Sequence, residues 1–357
     1  MEPILSNGYT VYFDNDLRGL KAFLDQNSYS KIFFLTDRNT SEHCLPFLQH
    51  CIPGLTEFDI IEVDPGEENK NIDFCIGIWR MLLDFNADRK SLLINLGGGV
   101  VTDMGGFAAS TYKRGIDFVH VPTTLLSQVD ASVGGKTGID MGTVKNIIGT
   151  FTQPKAVFIS TGFLDSLDQR QLVSGFAEVI KHGLIRDADY FEKIRAIRPE
   201  DISDELIRHS IAIKNEVVTE DPFEKGLRSI LNFGHTIGHA VESYSLIPEN
   251  DSEPLLHGEA IAIGMICEAY LSMTLNKLSK DELERIITYI RSIFPDYSLK
   301  ESINQDLIDI MKNDKKNIQG KIGFALLNSI GSCDFGIFIE ENVIAESLDF
   351  YRGLISR

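Results

Sequence analysis

At 357 residues, 43% of them hydrophobic and 24% charged, the chain is long enough for two packed domains, each with its own core. A formal net charge of -18 and a sequence pI near 4.9 create a field that repels nucleic acid and acidic membrane surfaces, so neither is expected as a partner. No run approaches the roughly 20 apolar residues of a membrane helix, and the first residues lack the basic and apolar regions of a signal peptide, so a cytoplasmic protein is expected.

In chain order, apolar runs at 31–36, 57–63 and 91–96 predict short strands, separated by helical stretches around 42–50 and 71–85. That is the βαβ rhythm of a parallel sheet, and it predicts a Rossmann-like α/β domain over residues 1–161. The third run ends in Gly97-Gly98-Gly99-Val100-Val101-Thr102-Asp103, followed by a helix-compatible stretch at 104–112. A strand, a glycine turn and a helix N-terminus make a phosphate cradle, because bare backbone can approach an anion that the helix dipole favours. A dinucleotide pyrophosphate would fit, although the string lacks the third glycine of the usual fingerprint and an ordinary tight turn reads the same way. Residues 117–124 predict a strand ending in a proline turn, and Gly134-Gly135-Lys136 follows. A lysine behind two glycines is similar to a P-loop, but the preceding glycine is at the wrong spacing and nucleotide hydrolysis is not expected. Lys136 and Lys145-Asn146, in Gly-rich turns, remain candidates for gripping a phosphate.

From about residue 162 the texture changes to long helical periodicity, which predicts a second, mainly α-helical domain over 162–357. Within 175–182, Glu178 and Lys181 lie three apart on one helical face, as either a surface ion pair or a buried functional pair. Further helix at 201–215 and 225–231 carries Lys214 and Arg228. His235 and His239 then fall one helical turn apart, so both imidazoles leave the same face and can converge on one ion or one substrate. His257 opens another apolar helical run, and an antiparallel packing would bring it back to the first pair. The alternative is a set of hydrogen-bonded core histidines. The tail has a basic stretch at 311–317 and a run at 321–327 that reads as a late strand or helix. The cysteines are odd in number and none forms a Cys-x-x-Cys pair, which argues against a disulfide framework and a thiolate zinc site. One half thus offers a dinucleotide cradle and the other a metal cluster, and an active site in the interdomain cleft is where they would meet. The pairing suggests alcohol oxidation on a phosphorylated substrate.

Taken together and in order, residues 97–103, 121–126, 130–138, Lys145-Asn146, 175–181, 231–239 and 255–259 resemble the 3-dehydroquinate synthase family of sugar-phosphate cyclases, the likeness running from about residue 36 to 331. The resemblance implies a zinc ion, or cobalt, held by Glu178, His235 and His257, and it moves His239 to proton handling or phosphate binding. Lys136, Asn146, Lys181, Lys214, Arg228, Asn232 and one of Lys315 or Lys316 match positions lining the family's substrate site. Arg114 matches an arginine that reaches in from the partner subunit of a homodimer. NAD would lie along Gly98, Gly99, Val100, Val101, Thr102, Asp103, Thr123 and Thr124, with Asp37, Glu67, Lys70, Asp130, Lys136, Lys145, Phe163, Leu164, Asp165 and Ser166 as further contacts. Three positions depart from the commoner pattern: Thr102 replaces glycine, Asp140 asparagine, and Asp165 a frequent lysine.

The reaction implied is that of a phosphate-eliminating lyase of the shikimate pathway. It converts 3-deoxy-D-arabino-heptulosonate 7-phosphate to 3-dehydroquinate, with NAD used and regenerated within each turnover. A cyclase acting on sedoheptulose 7-phosphate, a metal-dependent alcohol dehydrogenase and a metal-binding structural protein without catalysis are the alternatives. The intact Lys136, Lys181, Lys214, Arg228 and Asn232 argue against the last.

Overall fold

The central strands are buried on both faces, which is what a parallel sheet covered by helices on both sides requires. The computed structural model describes residues 1–357 apart from 143, 248–253, 276, 313–320 and 357. The chain divides into two compact units, Met1–Asp168 with Lys214–Pro222, and Gln169–Ile213 with Phe223–Arg357.

The first unit contains β1 (Ile4–Leu5), β2 (Thr10–Phe13), α1 (Arg18–Gln26), β3 (Ile32–Asp37), α2 (Arg38–His43), α3 (Leu45–Cys51), β4 (Asp59–Val63), α4 (Ile72–Asp84), β5 (Leu92–Gly97), α5 (Gly99–Thr111), β6 (Asp117–Pro122), β7 (Lys136–Met141), β8 (Val144–Phe151) and β9 (Ala156–Ile159). Seven strands form one sheet in the order β1-β2-β9-β6-β5-β3-β4, parallel throughout except for β1 against β2. Successive residues alternate between its faces. Phe33, Leu35 and Leu93 pack with α4 and α5, while Phe34, Leu92, Ile94 and Leu96 pack with α1 and α3.

Three details differ from the sequence expectation. The helix expected around 42–50 is broken at Cys44, because Pro46 is tolerated only in the first turn of the helix it opens. Helix α5 starts at Gly99, so residues 99–103 are its first turns and not a loop ahead of it. Gly134 and Gly135 do lie in a bend, at φ 105 and 66, but from Lys136 the chain runs into an antiparallel hairpin, β7 with β8, in which Gly138 pairs with Gly149. Lys136, Lys145 and Asn146 therefore sit on strands, not in turns.

The second unit contains α6 (Gln169–Arg186), α7 (Ala188–Arg195), the first part of α8 (Asp204–Glu220), α9 (His235–Ser245), α10 (His257–Thr274), α11 (Lys280–Ile293), α12 (Asn304–Lys312), β10 (Gly323–Ser329), β11 (Ser332–Phe338) and α13 (Glu341–Ile355). The late run at 321–327 is thus a strand, paired antiparallel with β11. Helix α10 is buried nearly all round, as expected for an apolar helix at the centre of a bundle. Two glycines let it approach its neighbours. A Cβ on Gly258 would lie 1.9 Å from the Ser174 carbonyl of α6, and one on Gly264 would lie 1.9 Å from the Gly234 carbonyl ahead of α9. Among the described residues no helix is long and apolar enough to cross a membrane.

Candidate active site

In the second unit, the close packing of α10 against α6 and α9 brings four chemically active side chains together. Glu178 and Lys181 lie on the buried face of α6, His235 is the first residue of α9, and His257 is the first of α10. Glu178 is fully buried, and its Oε1 is 3.5 Å from His235 Nε2 and 3.6 Å from His257 Nε2. Ligands about 2.0–2.1 Å from a tetrahedral zinc are about 3.3 Å from one another, so this spacing suits three donors sharing one ion. His239, one turn along α9, completes a trio with His235 and His257 whose ligand atoms all lie within 4.8 Å. The three histidines do meet, and Glu178 is with them. Lys181 pairs with Glu178 on the same helix, with 2% of its side chain exposed.

The outer nitrogens are also held. His235 Nδ1 is 3.1 Å from the Phe233 carbonyl, and His257 Nδ1 is 3.3 Å from Glu242 Oε2. Such contacts fix the tautomer and leave Nε2 to face inward. Burial opposes a charge on His257, but the carboxylates of Glu242 and Glu178 outweigh it and raise the imidazole to about 9. The cluster therefore favours positive charge at its centre, as a proton or as a cation that displaces it. Sequence reasoning missed Glu242, whose signal was its place seven residues, about two turns, beyond His235 on one helix face. It also missed the Arg170 to Glu259 clamp at the start of α10, where Nε and Nη2 donate to the two carboxylate oxygens at 2.7 and 2.8 Å.

In the first unit, a second polar cluster surrounds Lys70, which is 3% exposed. Its Nζ donates to Asp103 Oδ2 at 2.6 Å and to Asn146 Oδ1 at 2.7 Å, with Glu67 Oε1 4.0 Å away. Burial disfavours the ammonium, yet Asp103, Glu67 and Asp140 raise its pKa above the ordinary lysine value. Lys145 reaches Glu67 at 3.5 Å. Asn146 has φ 50, and its N–H donates to Asp140 Oδ1 at 2.6 Å. Lys214 donates to both the carbonyl and Oδ1 of Asp130, at 2.5 and 2.7 Å.

Gly98 caps α5, and Gly99, Val100, Val101, Thr102 and Asp103 form its first turns. The unusual Thr102 is accommodated: its hydroxyl donates back to the carbonyls of Gly98 and Gly99. Thr123 N–H donates to the Gly97 carbonyl, and Thr124 Oγ1 accepts the Ser127 N–H, so both threonines brace the turn beside the cradle. Asp37 caps α2 by accepting the Thr40 N–H. Phe163, Leu164, Asp165 and Ser166 lie in one short 3-10 segment. There the Phe163 ring is core, packed on Phe47, while Asp165 and Ser166 are exposed. Lys136 opens β7. Arg228 is buried on the 3-10 segment before α9, and Asn232 in that segment donates to Glu224 at 2.9 Å. Arg114 is exposed on a left-handed corner after α5. Lys315 and Lys316 lie outside the described residues.

Family models described as the N-terminal and C-terminal parts of 3-dehydroquinate synthase match residues 60–174 and 175–317. The 3-dehydroquinate synthase of Parabacteroides distasonis is 42% identical over 347 residues, covering 96% of this chain and 97% of the relative. Among solved structures, the 2-epi-5-epi-valiolone synthase of Streptomyces hygroscopicus, with NAD+ and Zn2+ bound, matches with a TM-score of 0.86 at 25% identity over 99% of both chains. A 2-deoxy-scyllo-inosose synthase complexed with carbaglucose-6-phosphate, NAD+ and Co2+ shares the fold, with a TM-score of 0.85 at 23% identity over 99% of both chains. The motifs, the sheet with its helical partner unit, and the near full-length match to curated relatives lead to one conclusion: the chain belongs to the 3-dehydroquinate synthase family.

Proposed function

We propose that the protein, whose curated relatives are named 3-dehydroquinate synthase, converts 3-deoxy-D-arabino-heptulosonate 7-phosphate to 3-dehydroquinate and phosphate, with NAD and zinc as resident cofactors. The observation that carries the reading is the convergence of Glu178 Oε1 with His235 Nε2 and His257 Nε2 beside buried Lys181. One carboxylate oxygen and two imidazole nitrogens are a donor set that suits Zn2+ or Co2+ and leaves a position open for a substrate hydroxyl. Held by Glu178, His235 and His257, the ion would supply Lewis-acid polarisation of that hydroxyl, and NAD would supply reversible hydride acceptance.

The chain's own residues bind and orient. Glu178, His235 and His257 hold the ion, and His239, half-buried one turn beyond His235, handles a proton or contacts the phosphate. Lys136, Asn146, Lys181, Lys214, Arg228 and Asn232 supply donors to the substrate. Buried Lys214 and Arg228 are read as the pair that replaces water around its carboxylate. Residues 98–103 with Thr123 and Thr124 take the dinucleotide, in a domain spanning 1–161, and Lys70, Glu67 and Lys145 flank it. Residues 162–357 form the metal- and substrate-binding domain. Exposed Arg114 serves the site of a second copy in a homodimer, and the enzyme works in the cytoplasm.

The test is incubation with the heptulosonate phosphate and NAD, following phosphate release and product mass. Phosphate should appear with one equivalent of the carbocycle and no accumulating NADH. Steady NADH production would favour the dehydrogenase reading, and comparable turnover of sedoheptulose 7-phosphate would overturn the substrate assignment.

A further inference from the structure

Helix α9 begins without a side chain of its own to cap it. Its N-cap is Gly234, held at φ 80, where a Cβ would also lie 2.6 Å from Met265 Cγ and 3.1 Å from the Met265 backbone nitrogen. Serine or aspartate, the usual caps, are therefore excluded, and the first N–H groups of the helix need another acceptor. Glu268 supplies it from α10. It is fully buried, its Oε2 accepts the Gly234 N–H at 2.6 Å and its Oε1 accepts the Ile237 N–H at 3.1 Å. His235 lies between those two donors in the chain, and its Nδ1 contacts the Phe233 carbonyl just before them.

We propose that Glu268 is a positioning residue for metal binding: by clamping the first turn of α9 onto α10, it sets where His235 Nε2 stands relative to Glu178. The inference rests on the metal reading proposed above. Glu268 is bonded to the backbone on either side of His235, while His257 starts the same helix that bears Glu268. The carboxylate thus ties two of the three donors into one frame. Residues that orient a metal's ligands commonly change affinity 10- to 100-fold when lost.

The experiment uses the full chain stripped of metal, as wild type, E268Q and E268A. Each is titrated with Zn2+ against a chromophoric chelator, the Co2+ absorption spectrum is recorded, and the metal-free Tm is measured. E268A is expected to bind Zn2+ 10- to 100-fold more weakly, with altered Co2+ bands. E268Q, which keeps one acceptor oxygen, should fall between. Should E268A fail to fold, E268Q is judged alone by the same criteria. Variants with a lowered Tm but wild-type Zn2+ affinity and an unchanged Co2+ spectrum would overturn the proposal and leave Glu268 as a helix anchor. Absence of stoichiometric Zn2+ binding by the wild type would overturn the metal reading and this inference with it.

Discussion

The two polar clusters are built on opposite electrostatic plans. Around Lys70, cation and anion alternate: Asp103, Glu67 and Asp140 surround one ammonium, and Lys145 returns to Glu67. Around Glu178, lone pairs converge, with two imidazole nitrogens and one carboxylate oxygen facing a common point. Histidine makes the same contrast. Burial alone lowers His120 of the first unit to about 3, so it is neutral, whereas Glu242 and Glu178 overcome burial and raise His257 to about 9. An alternating cluster is complete in itself and holds its geometry. A convergent one calls for a cation.

The largest effect expected from this contrast is at His235. His235→Ala removes a donor from the convergent set, and the lost polarisation of several kcal/mol corresponds to roughly a thousand-fold or more in turnover. Metal analysis should show the ion gone as well, whereas His239→Ala should keep it. Loss of the ion from His239→Ala would reassign the ligands.

Next comes the alternating cluster. Lys70→Met leaves Asp103, only 18% exposed at its side chain, without its cation, and breaking such a buried pair costs about 3–5 kcal/mol. Urea unfolding should show a loss near the low end of that range, with Lys70→Met/Asp103→Asn recovering part of it. A loss under about 1 kcal/mol would mean that the cluster is better solvated than its burial implies.

The His120 prediction follows from pH. A histidine with a folded-state pKa depressed from 6.5 to about 3 contributes stability above pH 6.5 that is lost as pH falls, since only the unfolded chain takes up the proton. The slope is at most about 1.4 kcal/mol per pH unit, so about 2 kcal/mol by pH 5. His120→Gln lacks this term, so its stability deficit should narrow as pH falls from 7 to 5. Parallel curves for wild type and variant would show that His120 is not held neutral.

Local pattern made much of this legible. The strands at β3, β4 and β5, helix α4 and the histidine trio follow from apolar runs and a four-residue spacing, which depend only on neighbours in sequence. The hairpin β7 with β8 was not legible, because Gly134, Gly135 and Gly138 read as turn punctuation. Yet Gly138 lies within a strand, where a Cβ would approach the Ile148 carbonyl to 2.8 Å. Strands β1, β2 and β9, two to four residues long, carry too few alternations to register. The two-turn spacing from His235 puts Glu242 on the same helix face, but Glu242 and Glu268 reach partners 15 and at least 31 residues away, so the packing of α9 on α10 is what discloses those partners.

The smallest effect expected lies at Asp140, one of the positions where the resemblance implies a departure, with asparagine the commoner residue. Asn146 sits at φ 50, a left-handed conformation that asparagine tolerates better than most residues, and the bond from its N–H to Asp140 Oδ1 holds it there. In that pose its own Oδ1 meets Lys70. Asp140→Asn keeps an acceptor for the N–H and removes only one of the three carboxylates that favour the ammonium. It should therefore alter stability and the KM for NAD little, by less than about three-fold for the latter. Asp140→Ala removes the acceptor, releases Asn146 and should lose about 1 kcal/mol in urea unfolding, with a KM raised roughly five-fold. If Asp140→Asn proves as damaging as Asp140→Ala, then charge at Lys70, and not the backbone bond, is what this position supplies. The alternating cluster would then depend on its full complement of anions.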